Sequence, residues 1–236
     1  MAEKTRVGLV VPPARGRIPP DAAAMYPDVE FLVEGIGLAA MSGAGYAEAV
    51  GRMEAACKSL AGAGAQAILL FGTSLSFFRG PAFNGELEAT MTRASGLPCA
   101  TLTSAMVEAL RTLGARRLAV ATAYTDAVNG MFAAYFATEG FAIEAIAGLD
   151  LVSLADAEEI GAERIAALAR RVRSEAPQAE ALVVSCAGLS TASICPGLER
   201  ELALPVVSSA MVGAWAAVRL AGQTGRAPAC GRLYEH

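Results

Sequence analysis

The chain has 236 residues, 54% of them hydrophobic and 18% charged, with 24 glycines and a net charge of −4. That length builds one large or two small domains with a self-sufficient core, and the acidic balance speaks against the clustered basic face of a nucleic-acid binder. The one histidine is the last residue, His236, and the only lysines are Lys4 and Lys58, which leaves little for imidazole catalysis, a histidine-based zinc site or a lysine Schiff base.

"RVGLVV" (6–11) reads as a strand, stopped by Pro12 and Pro13. "GYAEAVGRMEAACKSLAGAG" (45–64) repeats its apolar residues at spacings of three and four, as a helix does. Strand "AILLFG" (67–72) follows, then an apolar strand that Cys99 enters behind "LP", and strand "RLAVAT" (117–122). The helical pattern "EEIGAERIAALARRVRSE" (158–175) precedes strands "ALVVSC" (181–186) and "PVVSS" (205–209). Continuous apolar strands alternating with helices indicate an α/β protein with parallel strands covered on both faces. No apolar run reaches the roughly 18 residues of a membrane span, and "MAEKTRVGLVV" lacks the layout of a secretion signal. Five cysteines without CxxC spacing fit reduced thiols. A cytoplasmic protein is expected, monomer or homodimer, with no nucleic-acid or membrane partner.

The two halves repeat one another. "AILLFGTSLS" matches "ALVVSCAGLS", "RVGLVV" matches "RLAVAT", and "LPCATLTSAMV" (97–107) matches "LPVVSSAMV" (204–212). Two pseudo-symmetric parallel-sheet lobes are predicted, residues 1–113 and 114–206, with their strand ends facing each other. The sequence leaves open whether 97–113 crosses over to the second lobe and 207–236 to the first. Open α/β sheets bind ligands beyond the carboxyl ends of their strands. The predicted site is therefore the cleft between the lobes, lined by 10–13, 72–76, 121–126 and 185–190, with Gly72 as the symmetry mate of Cys186.

A cysteine on an apolar strand is often only a small hydrophobe. Cys186 differs by position: it ends a strand before small residues and an expected helix start, where amides and a helix N-terminus would tune a thiol and bind anions. Cys57, Cys99, Cys195 and Cys230 fit packing or surface roles. Thr73 and Ser74 are expected to cap the next helix, to hold a carboxylate, or to do both. Tyr124, at another strand end, serves as an interface aromatic or as a phenol donor. "GTSLS" lacks the final glycine of a nucleophile elbow, and no histidine is at hand as its base.

Taken together, "LVVPP", "YPDVEFLVEGIGL", "FGTSLSFFRGPAFN", "VATAYTDAVN" and "VVSCAGL" make the chain resemble, over almost its whole length, the arylmalonate decarboxylase family. That family sits in the superfamily of aspartate/glutamate racemases, hydantoin racemases and maleate isomerases. The resemblance implies a racemase-like two-lobed fold and a carboxy-lyase with no cofactor and no metal, whose partner is a small dicarboxylate, an aryl- or alkenyl-substituted malonate. It implies Cys186 as proton donor, Thr73, Ser74 and Tyr124 as a dioxyanion hole, and Pro12, Leu38 and Met41 as pocket lining. Pro13, Gly72, Ala187 and Leu154 join them as expected substrate contacts.

Racemases and isomerases of the superfamily carry two cysteines, one at each strand end. Gly72 stands in the first place here, so that one thiol is expected to protonate one face and yield one enantiomer. Ala187 in place of a glycine, and Met41 in place of a smaller side chain, bear on substrate range. Two alternatives stand beside this expectation. A maleate cis-trans isomerase, or an amino-acid or hydantoin racemase, needs a second acid-base group at Gly72. A non-catalytic carboxylate-binding protein gives no reason for a thiol at a strand end.

Overall fold

Two parallel four-stranded sheets with the same strand order form the framework. The computed structural model describes residues 4–38, 43–153, 156–157 and 159–235. In the first sheet β1 (Arg6–Val11) lies between β2 (Glu30–Gly35) and β3 (Ala67–Leu70), and β4 (Cys99–Thr101) is outermost. In the second, β5 (Arg117–Thr122) lies between β6 (Ala142–Gly148) and β7 (Ala181–Ser185), with β8 (Val206–Ser208) outermost. The orders β2-β1-β3-β4 and β6-β5-β7-β8 thus pair β1 with β5 and β3 with β7, as the internal repeat requires. The expected two-lobed α/β fold forms, and so does each expected strand.

The central strands are apolar because both faces are covered. Leu9, Leu69, Val120 and Val183 have no exposure, and each such burial contributes about 1.5–3 kcal/mol. The cover comes from α1 (Pro20–Met25), α2 (Gly43–Val50), α3 (Met53–Gly62), α4 (Thr73–Phe77), α5 (Gly80–Ser95) and α6 (Leu102–Thr112) along the first half. Along the second it comes from α7 (Asp126–Thr138), α8 (Ala162–Glu175), α9 (Cys195–Leu202) and α10 (Ser209–Leu220). The single helix expected over 45–64 is broken into α2 and α3 at Gly51 and Arg52. There the Arg52 guanidinium leaves the helix face to donate to the Ile36 and Gly37 carbonyls at 2.9 and 3.0 Å.

The twin "LP" motifs do the same work in each half. Each makes a three-residue strand whose last residue caps the following helix: Thr101 Oγ1 accepts from Ser104 N at 3.2 Å, and Ser208 Oγ accepts from Met211 N at 3.5 Å. α10 follows a strand of the second sheet yet packs against α1, α6, β1 and β3, while α6 touches β8. Among the described residues no helix is long and apolar enough to cross a membrane.

Candidate active site

In a sheet of order 2-1-3-4 the connections diverge between the first and third strands, and that switch point is where α/β folds open a crevice. Here the carboxyl ends of β1 and β3 meet those of β5 and β7 around one cavity of about 250 Å³. β1 delivers Pro12 and Pro13, β3 delivers Gly72, Thr73 and Ser74, β5 delivers Tyr124, and β7 delivers Cys186 and Ala187, all of them lining residues. Leu38 lines it as well, fixed by its amide donating to the Pro12 carbonyl at 2.7 Å. Met41 and Leu154, the remaining expected contacts, lie outside the described residues.

Cys186 is buried and follows directly on β7. Its φ of 148° is one that L side chains rarely adopt, a local cost of about 1–3 kcal/mol that surrounding structure must sustain. The helix expected to begin here does not. The chain makes a turn, with Leu189 N donating to the Cys186 carbonyl at 3.2 Å, and α9 starts only at Cys195. The physical reason is Asp21, a buried carboxylate at the start of α1. It accepts from Thr191 N at 2.9 Å, Thr191 Oγ1 at 2.6 Å and Ala192 N at 3.2 Å. Amides committed to that carboxylate hold the segment as turns, so no helix N-terminus sits at the thiol.

Thr73 and Ser74 also differ from the expected caps. Gly72 occupies the cap position of α4 with no side-chain bond, and the two hydroxyl residues form the first turn itself. Their hydroxyls are thereby released from capping. Thr73 Oγ1 is buried and, although the Tyr124 phenol is close, makes no hydrogen bond of ordinary geometry, a condition that costs about 1–3 kcal/mol in a finished core. The turn is braced from below. Ser76 Oγ donates to the Gly72 and Thr73 carbonyls at 3.2 and 3.0 Å and lies 2.6 Å from Thr103 Oγ1, which itself donates to the Thr73 carbonyl.

Tyr124 is held as a neutral donor. Its ring packs edge-on against Phe77 of α4, with centroids 5.9 Å apart, and its phenol lies 3.3 Å from Ser185 Oγ. Burial first, and then the nearby Cys186, push its ionisation well above the ordinary range. Tyr46, on α2, is a residue that sequence reasoning missed. Its phenol is pushed up to about 12 by burial, with Ser74 pulling the other way and Cys186 adding to the rise. Although Ser74 is close, the Tyr46 oxygen makes no hydrogen bond of ordinary geometry and is buried. Arg17, Ile18 and Pro19, between β1 and α1, and Pro20, the first residue of α1, also line the cavity unforeseen. The first is a loop residue without pattern, and Tyr46 sits in an apolar helix where an aromatic reads as core. None of the five cysteines forms a disulfide.

Residues 7–234 match the sequence profile of the family described as arylmalonate decarboxylase. The chain belongs to that family. It is 40% identical to arylmalonate decarboxylase of Bordetella bronchiseptica over 235 residues, 99% of this chain and 98% of that protein. A crystal structure of an arylmalonate decarboxylase variant in the liganded form superposes with a TM-score of 0.95 at 39% identity, covering 98% and 99% of the two chains. In that variant a glycine is replaced by cysteine and a cysteine by serine, at positions separated by as many residues as Gly72 and Cys186. A variant of Nocardia farcinica maleate cis-trans isomerase with a covalently bound succinylcysteine intermediate superposes with a TM-score of 0.88 at 26% identity over 98% of each chain. This arylmalonate decarboxylase family member is accordingly an enzyme of the carboxy-lyase class.

Proposed function

We propose that the enzyme decarboxylates aryl- or alkenyl-substituted malonates without a cofactor, holding one carboxylate on Thr73, Ser74 and Tyr124 and protonating the resulting enediolate from Cys186. The observation that carries this reading is a group of buried hydroxyls, with the unpartnered Thr73 Oγ1 among them, sharing one cavity with a single thiol opposite Gly72.

The retained carboxylate accepts from the hydroxyls and from the backbone N–H of Ala187. As the bond to the other carboxyl carbon breaks, its electron pair moves into the enediolate and charge grows on the held oxygens. Fixed donors stabilise that transition state more than the substrate. Leu38 gives the departing carboxylate an apolar wall, where poor solvation favours exit as neutral CO2. The aryl or alkenyl group spreads the developing charge. The Cys186 thiol then gives its proton to the α-carbon, and water reprotonates the thiolate left behind. With glycine at position 72, protonation comes from one face, so a disubstituted malonate yields one enantiomer. A reaction that needs Cys186 as a thiol suits the reducing cytoplasm.

Incubated without added cofactor, the protein is expected to release CO2 from phenylmalonate and to form no fumarate from maleate. Cys186→Ala is expected to fold and to release no CO2. Fumarate production by the parent, or CO2 release by C186A at a rate near the parent's, overturns the assignment. The isomerase alternative lacks the second acid-base group that it requires at Gly72.

A further inference from the structure

Among the described residues, Arg17 is the one charged residue that lines the cavity. It lies on the exposed segment between β1 and α1, beside Ile18, which is 46% exposed, and so stands at the mouth of the cavity, apart from the buried donors. Among the described residues it makes no ion pair.

A bound malonate offers a guanidinium three parts to serve, and two are poor choices. The carboxylate that stays is met by Thr73, Ser74 and Tyr124. An ion pair on the carboxylate that leaves would oppose the reaction, because its charge vanishes as CO2 forms and the pair would stabilise substrate more than transition state. The third part is the substituent. Pro13, Ile18 and Pro19 line the same cavity as Arg17 and offer apolar contacts suited to a flat ring, and Arg17 lies on the exposed stretch beside them. The planar fork of a guanidinium is matched to an oxyanion such as a carboxylate. In a chain of net charge −4 it also offsets the general repulsion of a more highly charged substrate. We infer that Arg17 selects malonates whose aryl substituent ends in a carboxylate or similar oxyanion, an inference that rests on the decarboxylase reading above.

The test compares phenylmalonate with 4-carboxyphenylmalonate by kcat/KM, and their products phenylacetate and 4-carboxyphenylacetate by calorimetric Kd, in the parent, Arg17→Leu and Arg17→Lys. The parent is expected to prefer the carboxylated member of each pair. R17L should reduce that preference by about fivefold, the scale of one partly screened ion pair, and R17K should retain part of it. Added salt should erode the preference in the parent and not in R17L. A parent without the preference, or an R17L variant that keeps it, overturns the inference. So does an equal fall in kcat/KM for both malonates, which would mark general steering of anions. If neither malonate is turned over, the decarboxylase reading fails, and the two product affinities still decide whether Arg17 recognises the extra carboxylate.

Discussion

Cys186 and Gly72 hold equivalent places after β7 and β3, and they reach the cavity by opposite means. Cys186 keeps a side chain in a backbone conformation with φ of 148°, whereas Gly72 has an ordinary extended φ of −145° and no side chain. A Cβ built on Gly72 would lie 2.8 Å from Leu75 Cδ1 and 3.1 Å from Pro12 Cγ. The nearer atom is the tip of a flexible side chain, so Gly72→Cys is expected to fold with a small shift of Leu75. It then places a second thiol on the other face of the enediolate. With 2-methyl-2-phenylmalonate as substrate, G72C should give 2-phenylpropionate of reduced enantiomeric excess. An active, soluble variant with undiminished excess would contradict the facing arrangement. Tyr124→Phe keeps the ring against Phe77 and removes one donor. By the cost of losing an oxyanion-hole donor, about 3 kcal/mol, kcat should fall roughly a hundredfold with a smaller change in KM. An unchanged kcat removes Tyr124 from the dioxyanion hole.

At the scale of elements, legibility followed burial. β1, β3, β5 and β7 are covered on both faces, so their apolar runs are unbroken and the site residues at their ends can be located. β2 and β6 are edges. "EFLVEG" and "AIEAIAG" set Glu30, Glu34 and Glu144 among half-exposed positions and present no such run. The turn after Cys186 was illegible for another reason: its shape depends on Asp21, which is 170 positions from Thr191 in the chain. That carboxylate ties the start of α1, and with it the cavity-lining segment 12–20, to the segment that carries Cys186. Asp21→Ala would leave two amides and a hydroxyl without their acceptor in a buried setting, a loss of about 3 kcal/mol or more. Urea unfolding should show it as a lowered midpoint, and kcat should fall as the Cys186 turn loosens. All three bonds converge on one oxygen, so Asp21→Asn can keep an acceptor there and should recover most of the stability. Parent-like unfolding and kcat in D21A would show that the tie contributes nothing.

Over the whole molecule, burial sets an alkaline limit. The chain has five tyrosines, and burial pushes every one above the ordinary value: Tyr46 and Tyr135 to about 12, and Tyr26, Tyr124 and Tyr234 further. Burial likewise raises Cys57 to about 12 and lifts Cys195 strongly. In the unfolded chain thiols ionise near about 8.5 and phenols near about 10, while the folded chain keeps these protons. Above those values the native state therefore binds more protons than the unfolded state, and stability falls as pH rises. Each such proton contributes a slope of about 1.4 kcal/mol per pH unit, and the slopes together become comparable with a total stability of about 5–15 kcal/mol. The urea midpoint should hold steady up to about pH 8, decline from about pH 9 and collapse between about pH 10 and 12. Tyrosinate absorbance should rise together with the loss of circular dichroism. A phenol titration near pH 10 with the fold intact would show that the rings are open to solvent. Because the same burial keeps Tyr124 protonated for as long as the fold survives, any alkaline loss of activity that comes from Tyr124 should coincide with unfolding.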